Sequence, residues 1–133
     1  AVVGGETAQR GRMKPIVIDV PVSMRHLPSP NSRIHHMARH RSNMAAKHMA
    51  WMAWRAAGKP TASGPVIVDV LMVYPRPHRD PDNALASIKP LIDALFVGAI
   101  TPDDSSKWLT FGSVTQEPGK KPYVRFTVRE QPA

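Results

Sequence analysis

The residues best able to do chemistry in this chain are aspartates crowded into one stretch. Between Asp80 and Asp104, five carboxylates (Asp80, Asp82, Asp93, Asp103, Asp104) accompany one cation, Lys89, so that window carries −4 and the rest of the chain +12. Asp80 and Asp82 are the sharpest pair. Residues 79–83 read Arg-Asp-Pro-Asp-Asn, and a residue before proline is biased towards extended backbone, in which positions two apart face the same way. The two carboxylates are therefore expected to converge. Like charges about 4 Å apart repel by roughly 4 kcal/mol at an effective dielectric near 20, so such a pair calls for a cation or a shared proton. Magnesium suits it, being a hard ion that takes one or two carboxylates and completes its octahedron with water and phosphate.

A second acidic loop, Thr101 to Ser105, reads Thr-Pro-Asp-Asp-Ser. The plain alternative for both segments is a turn, the first ending in an aspartate helix cap. Their combination, with a helix between them of a length to fold the second loop back beside the first, favours a metal site. Lys89 lies between the two and is placed to neutralise phosphate charge, an effect that counts in the transition state. Its alternative role, an i,i+4 surface pair with Asp93, contributes only about 0.3 kcal/mol.

These residues need a scaffold. Lys14 to Val22 alternates with β-branched residues and reads as a strand near a sheet edge, given Pro15 and Pro21. Leu27 to Asn31 (Leu-Pro-Ser-Pro-Asn) reads as a shaped loop. A helix is expected from about Ser42, its N-cap, to a stop at Gly58. Met37, Met44 and Trp51, joined by His48 and Trp54, supply its apolar stripe, with Arg39, Arg41, Lys47 and Arg55 off it. Val66 to Tyr74 is a nearly continuous β-branched and apolar run, as a buried central strand requires. After a break at Pro75 to Pro77, Asp82 is available to cap a helix over Asn83 to Val97, which Pro90 should kink or split. Lys107 to Thr115 and Pro122 to Arg129 are two further strands about Glu117-Pro118-Gly119-Lys120, a turn signal at hairpin spacing. The order β-α-β-α-β-β implies an α+β domain, a mixed sheet covered by two main helices.

At 133 residues and 14.7 kDa the chain suits one domain. Ala1 to Arg12 is expected to lie outside it, as a leader or start-site artefact ahead of Met13, leaving 13–133 as the domain. With no cysteine, disulfides, thiolate nucleophiles and cysteine zinc sites are excluded, and an intracellular reducing compartment is the simplest expectation. The apolar runs at 65–74 and 90–100 fall short of the roughly 20 residues that span a bilayer. The net charge of +8 is all N-terminal: residues 1–59 hold ten Lys or Arg and two acids, and residues 60–133 hold eight of each. Such a surface is the footprint of a polyanion partner. His26, His35, His36, His40 and His48 make a poor zinc set without cysteine or a nearby acid and suit phosphate contact or surface instead. Trp51, Trp54 and the methionines could stack on bases, but at helical spacing they are expected in the core or a dimer interface, and Asp19 is expected to be structural. No Walker-type loop, dinucleotide fingerprint or serine nucleophile elbow is present.

The run RDPDNALASIKPLIDALFVGAITPDDSSKW, residues 79–108, resembles the RusA-type Holliday junction resolvases of bacteria and their phages. It is similar to that family's Asp-x-Asp-Asn, then Lys, then Asp-x-Leu four residues later, then a closing Asp-Asp. The spacing from Asp82 to Lys89 is three residues longer than in the compact form of the motif. The resemblance implies that Asp80, Asp82 and Asp104 are catalytic and hold Mg²⁺, with Mn²⁺ able to substitute. It makes Lys89 the essential lysine and Asn83, Asp93 and Asp103 supporting positions. Pro28-Ser29-Pro30-Asn31 resembles the family's early Pro-Ser-x-Asn segment, suiting Asn31, Arg33, Arg39 and Arg41 to DNA backbone contact, with Lys47, Arg76 and Arg79 as further basic candidates. The implied activity is cutting branched DNA in recombination and repair, in the cytoplasm of a bacterial or phage-infected cell. Paired, symmetric nicks would leave 5′-phosphate and 3′-hydroxyl ends, and a homodimer would make them. Two rivals stand beside it. One is a non-catalytic basic nucleic-acid-binding protein. The other is a nuclease of the (D/E)-x-K class, against which the spacing of Asp104 and Lys107 counts.

Overall fold

A computed structural model describes residues 14–27, 36–76 and 80–132. In strand β1, Ile16–Pro21, Ile18 and Val20 are buried while Val17 and Asp19 are exposed, the alternation of a strand with one covered face. A 3-10 turn at Met24–His26 leads towards helix α1, His36–Ala56. Strand β2, Val66–Tyr74, follows, then α2, Pro81–Ser87, and α3, Lys89–Phe96, and finally strands β3, Leu109–Pro118, and β4, Tyr123–Glu130. The fold is α+β, with one mixed four-stranded sheet in the order β1-β4-β2-β3.

β4 runs antiparallel to both β1 and β2, whereas β3 runs parallel to β2. The hairpin expected of β3 and β4 is therefore absent: they are consecutive in sequence, but β2 lies between them. The turn at residues 119–122 instead carries the chain over the end of β2. Gly119 N–H donates to the Tyr74 carbonyl at 3.0 Å, and a Cβ at Gly119 would collide with Val73 Cγ1. Glycine is what permits this close crossing. β1 lies at a sheet edge, where Pro21 costs no central ladder bond.

Inward residues of three strands, Ile18 and Val20, Val66, Val68, Val70 and Met72, and Val124, Phe126 and Val128, form one layer of the core. Leu91, Ile92, Leu95 and Phe96 of α3 form the other, with Phe96 and Phe126 meeting edge to face at 6.0 Å. The core face of α1 is not the expected stripe. Ala46 and Ala50 are buried, and Met49, Ala53 and Trp54 pack beside them, whereas Met37, Met44 and Trp51 are exposed. Small alanines let the helix backbone approach its neighbours, and Met49 and Trp54 close the contact at its margin while Met37 and Met44 stand outside it. Ser42 is not the N-cap either: α1 already runs through His36 to Arg41, which contain no helix breaker. Gly58, at φ +91°, does stop it.

Candidate metal and phosphate site

Asp80, not Asp82, caps α2. Its backbone is extended (φ −66°, ψ 158°), Pro81 occupies the first helical position, and its carboxylate accepts from Asn83 N–H and Asn83 Nδ2, both at 2.9 Å. Proline presets the first turn of a helix and needs no hydrogen bond there, so the aspartate before it falls at the cap. The extended-chain argument for convergence fails for the same reason: Asp82 already sits in the first helical turn. Asn83, a supporting position by resemblance, holds both oxygens of Asp80.

Pro90 divides the second helical stretch, as expected. Ile88, at φ −97° and ψ 11°, leaves helical geometry, and α3 starts afresh at Lys89. α3 ends at Phe96, where Gly98 turns at φ +90°. Buried Thr101 then ties the acidic loop down, its hydroxyl 2.9 Å from the Phe96 carbonyl and 3.0 Å from that of Asp103. Asp103 accepts from Ser105 N–H at 2.8 Å, and bonding to the Ser105 side chain and backbone holds its carboxyl below the ordinary carboxylate value. Asp103 is thus a turn residue, which leaves Asp104 for other work.

Asp104 meets Lys89. Lys89 Nζ donates to Asp104 Oδ2 at 2.7 Å and lies 2.9 Å from Asp93 Oδ1, so one ammonium bridges two carboxylates from different elements. The bond to Asp104, then that to Asp93, raises the lysine above its ordinary pKa of 10.5, so it is charged at neutral pH. Asp82, Lys89 and Asp104 line one cleft of about 340 Å³, with Leu85, Ala86, Ile92, Leu109 and Phe111 as its apolar wall. Asp82 makes no ion pair among the described residues. A second cleft, about 250 Å³, adjoins Lys89 and is faced by Arg39, Asn43 and Lys47 of α1, spaced four residues apart. α1 contains no acidic residue.

As hosts for Mg²⁺, Asp82 and Asp104 fit chemically, since both are carboxylates opening on one solvent-accessible cleft. Asp80 is turned to its cap. Among the described residues no three His, Cys, Asp or Glu side chains are already gathered into a metal-holding group. Of the basic candidates, Arg39 and Lys47 flank the site, while Arg41 and Arg76 are exposed and line neither cleft. Asn31, Arg33 and Arg79 lie outside the described residues, as do Ala1 to Arg12 and His35. His36, His40 and His48 are exposed on α1. Asn43 and Phe111 near the site were not assigned to it from sequence, and Trp51, expected in the core or a dimer interface ahead of a base-stacking role, also lies beside it. Asn43 alone had a readable signal, its spacing of four from Arg39 and Lys47. No protein-family model matches this chain, and no curated protein matches it. No helix among the described residues is long and apolar enough to cross a membrane.

Proposed function

We propose that this chain is a magnesium-dependent, structure-selective endonuclease that nicks branched DNA. The observation that carries the reading is the shared cleft of Asp82, Lys89 and Asp104, with Lys89 held against Asp104 beside an acid-free basic helix. Asp82 and Asp104 would hold the ion, and the resemblance adds Asp80. When bound, the metal would supply an activated water and stabilise charge on the departing oxygen.

The rest of the work falls to the chain itself. Arg39 and Lys47 on α1 would draw in and position the phosphate backbone without reading sequence. Asp104 and Asp93 hold the Lys89 ammonium in place, so its charge is oriented before the substrate arrives and costs little rearrangement as charge builds on the phosphate. The apolar wall at Ile92, Leu109 and Phe111 lowers the water content on one side of the reacting phosphate. Symmetric cuts on opposite strands of a four-way junction need two such sites, which a two-fold homodimer would supply.

A non-catalytic nucleic-acid-binding role is the second reading, favoured by the acid-free helix α1, whose Arg39 and Lys47 could hold phosphate without any chemistry. The deciding experiment incubates the purified protein with a synthetic four-way junction and with a linear duplex of equal length, in Mg²⁺ and in EDTA. Junction-selective nicking that EDTA abolishes is the expected result. Binding without metal-dependent nicking would replace the nuclease reading with the second.

A further inference from the structure

Beyond Asp104 the site opens into a groove of about 550 Å³ between α1 and α3, lined by Lys47 and Trp51 on one side and Ala94 and Val97 on the other. Trp51 and Val97 are 36 % and 50 % exposed, so apolar surface lies open beside a charged site. The indole is fixed, because Trp51 Nε1 donates to the Ala94 carbonyl at 3.2 Å. With its one polar atom satisfied, the ring has only π surface left to offer. The two acids of this groove, Asp93 and Asp104, are both bonded to Lys89.

A ligand for this groove must be flat, with apolar faces, and must carry negative charge for Lys47. A second copy of the chain fits poorly, because it would bring its own acid-free helix against this one. An unpaired nucleotide fits both demands: its base stacks on the indole and its phosphate meets the ammonium. We propose that Trp51 is a stacking platform for an unpaired DNA nucleotide beside the cleavage site, with Lys47 on its phosphate. The inference rests on the nuclease reading above and deepens it: the groove would engage DNA whose bases have come apart, as at a branch point.

The test is binding in EDTA, where no cleavage occurs. Fluorescence polarisation compares a labelled oligothymidylate with a fully paired duplex, for the wild type, Trp51→Ala and Trp51→Phe. Trp51→Ala should weaken single-strand binding roughly tenfold while duplex binding stays within about twofold, and Trp51→Phe should recover most of the loss. Intrinsic tryptophan emission should be quenched by the oligonucleotide in the wild type and not in Trp51→Phe, a readout that keeps an aromatic ring in place. Equal losses on both DNAs, no loss, or quenching that persists without Trp51 would overturn the proposal. So would conversion of a dimer to a monomer by Trp51→Ala in sedimentation, which would assign the ring to an interface between copies. Failure of the nuclease reading is seen separately, as absence of Mg²⁺-dependent nicking by the wild type whatever Trp51 binds.

Discussion

Carboxylates occur on both sides of this molecule, and their partners differ. On the sheet face away from the helices Asp19 and Asp69 each have their own arginine. Asp19 receives Arg125 Nε at 2.7 Å and Nη2 at 3.0 Å, and Asp69 lies 3.4 Å from Arg129 Nε. On the helical side a single lysine serves two acids, and Asp82 has no ion pair among the described residues. Each of the two sheet-face pairs is neutral within itself. The cleft keeps a surplus of negative charge at the one place where a basic helix would bring phosphate, and a cation is what would reconcile the two.

Substitutions should separate these regions. The largest effect expected is on catalysis: Lys89→Ala should cut junction nicking on the order of 10²- to 10³-fold, while urea unfolding moves by less than about 1 kcal/mol, since its ion pairs are exposed. A comparable loss of stability would make the lysine a structural residue and collapse the contrast. Next comes Gly112→Ala on the sheet face. The β2–β3 register shifts between Val68 and Val70, where Gly112 and Ser113 make the bulge, and a Cβ at Gly112 would collide with Asp69 Oδ1. This variant should lose about 1 kcal/mol in urea unfolding, because the carboxylate must move off its Ser113 bond, with nicking unchanged at temperatures where it is folded.

A smaller effect concerns pH. Ser113 backbone N–H donates to Asp69 at 2.8 Å, and this bond, ahead of the Arg129 charge, depresses the carboxyl below its ordinary 3.8. A depressed acid contributes stability above its unfolded value and loses it as pH falls through the folded one. Unfolding free energy should therefore fall below about pH 4, and the slope should be shallower in Asp69→Asn. For Lys89 the sign is reversed: its contribution is present below 10.5 and is lost only at more alkaline pH. Smallest of all, Asp19→Ala should barely move urea unfolding, as exposed pairs do, and leave nicking untouched.

Much of the scaffold was legible because its causes are local. β1 and β2 follow from β-branched alternation, the break at Ile88 from Pro90, and the end of α1 from Gly58. What misled were features whose meaning depends on distant partners. The turn at Glu117 to Lys120 signals a reversal of the chain, but nothing local says that β2 will insert between the strands it joins. Met37, Met44 and Trp51 are apolar at helical spacing, yet the face that packs is the one with Ala46 and Ala50 at its centre, where small side chains permit close approach. In the site, the chain brings Lys89 to Asp104 across fifteen residues, a contact that no spacing within either segment encodes. The cap fell to Asp80 because Pro81 fixes the first turn, a local rule applied one motif position too late. The proximity of Trp51 to Asp104 belongs to the packing of α1 on α3, and no spacing within either helix encodes it.

The central claim is that Asp82 serves chemistry rather than folding. The direct test is Asp82→Asn on a four-way junction, with nicking followed in Mg²⁺ and binding followed in EDTA. Nicking should be lost by on the order of 10³-fold, with binding kept or tightened because a repulsive carboxylate near phosphate is gone. Unchanged nicking, or loss of binding and cleavage together, would contradict the account.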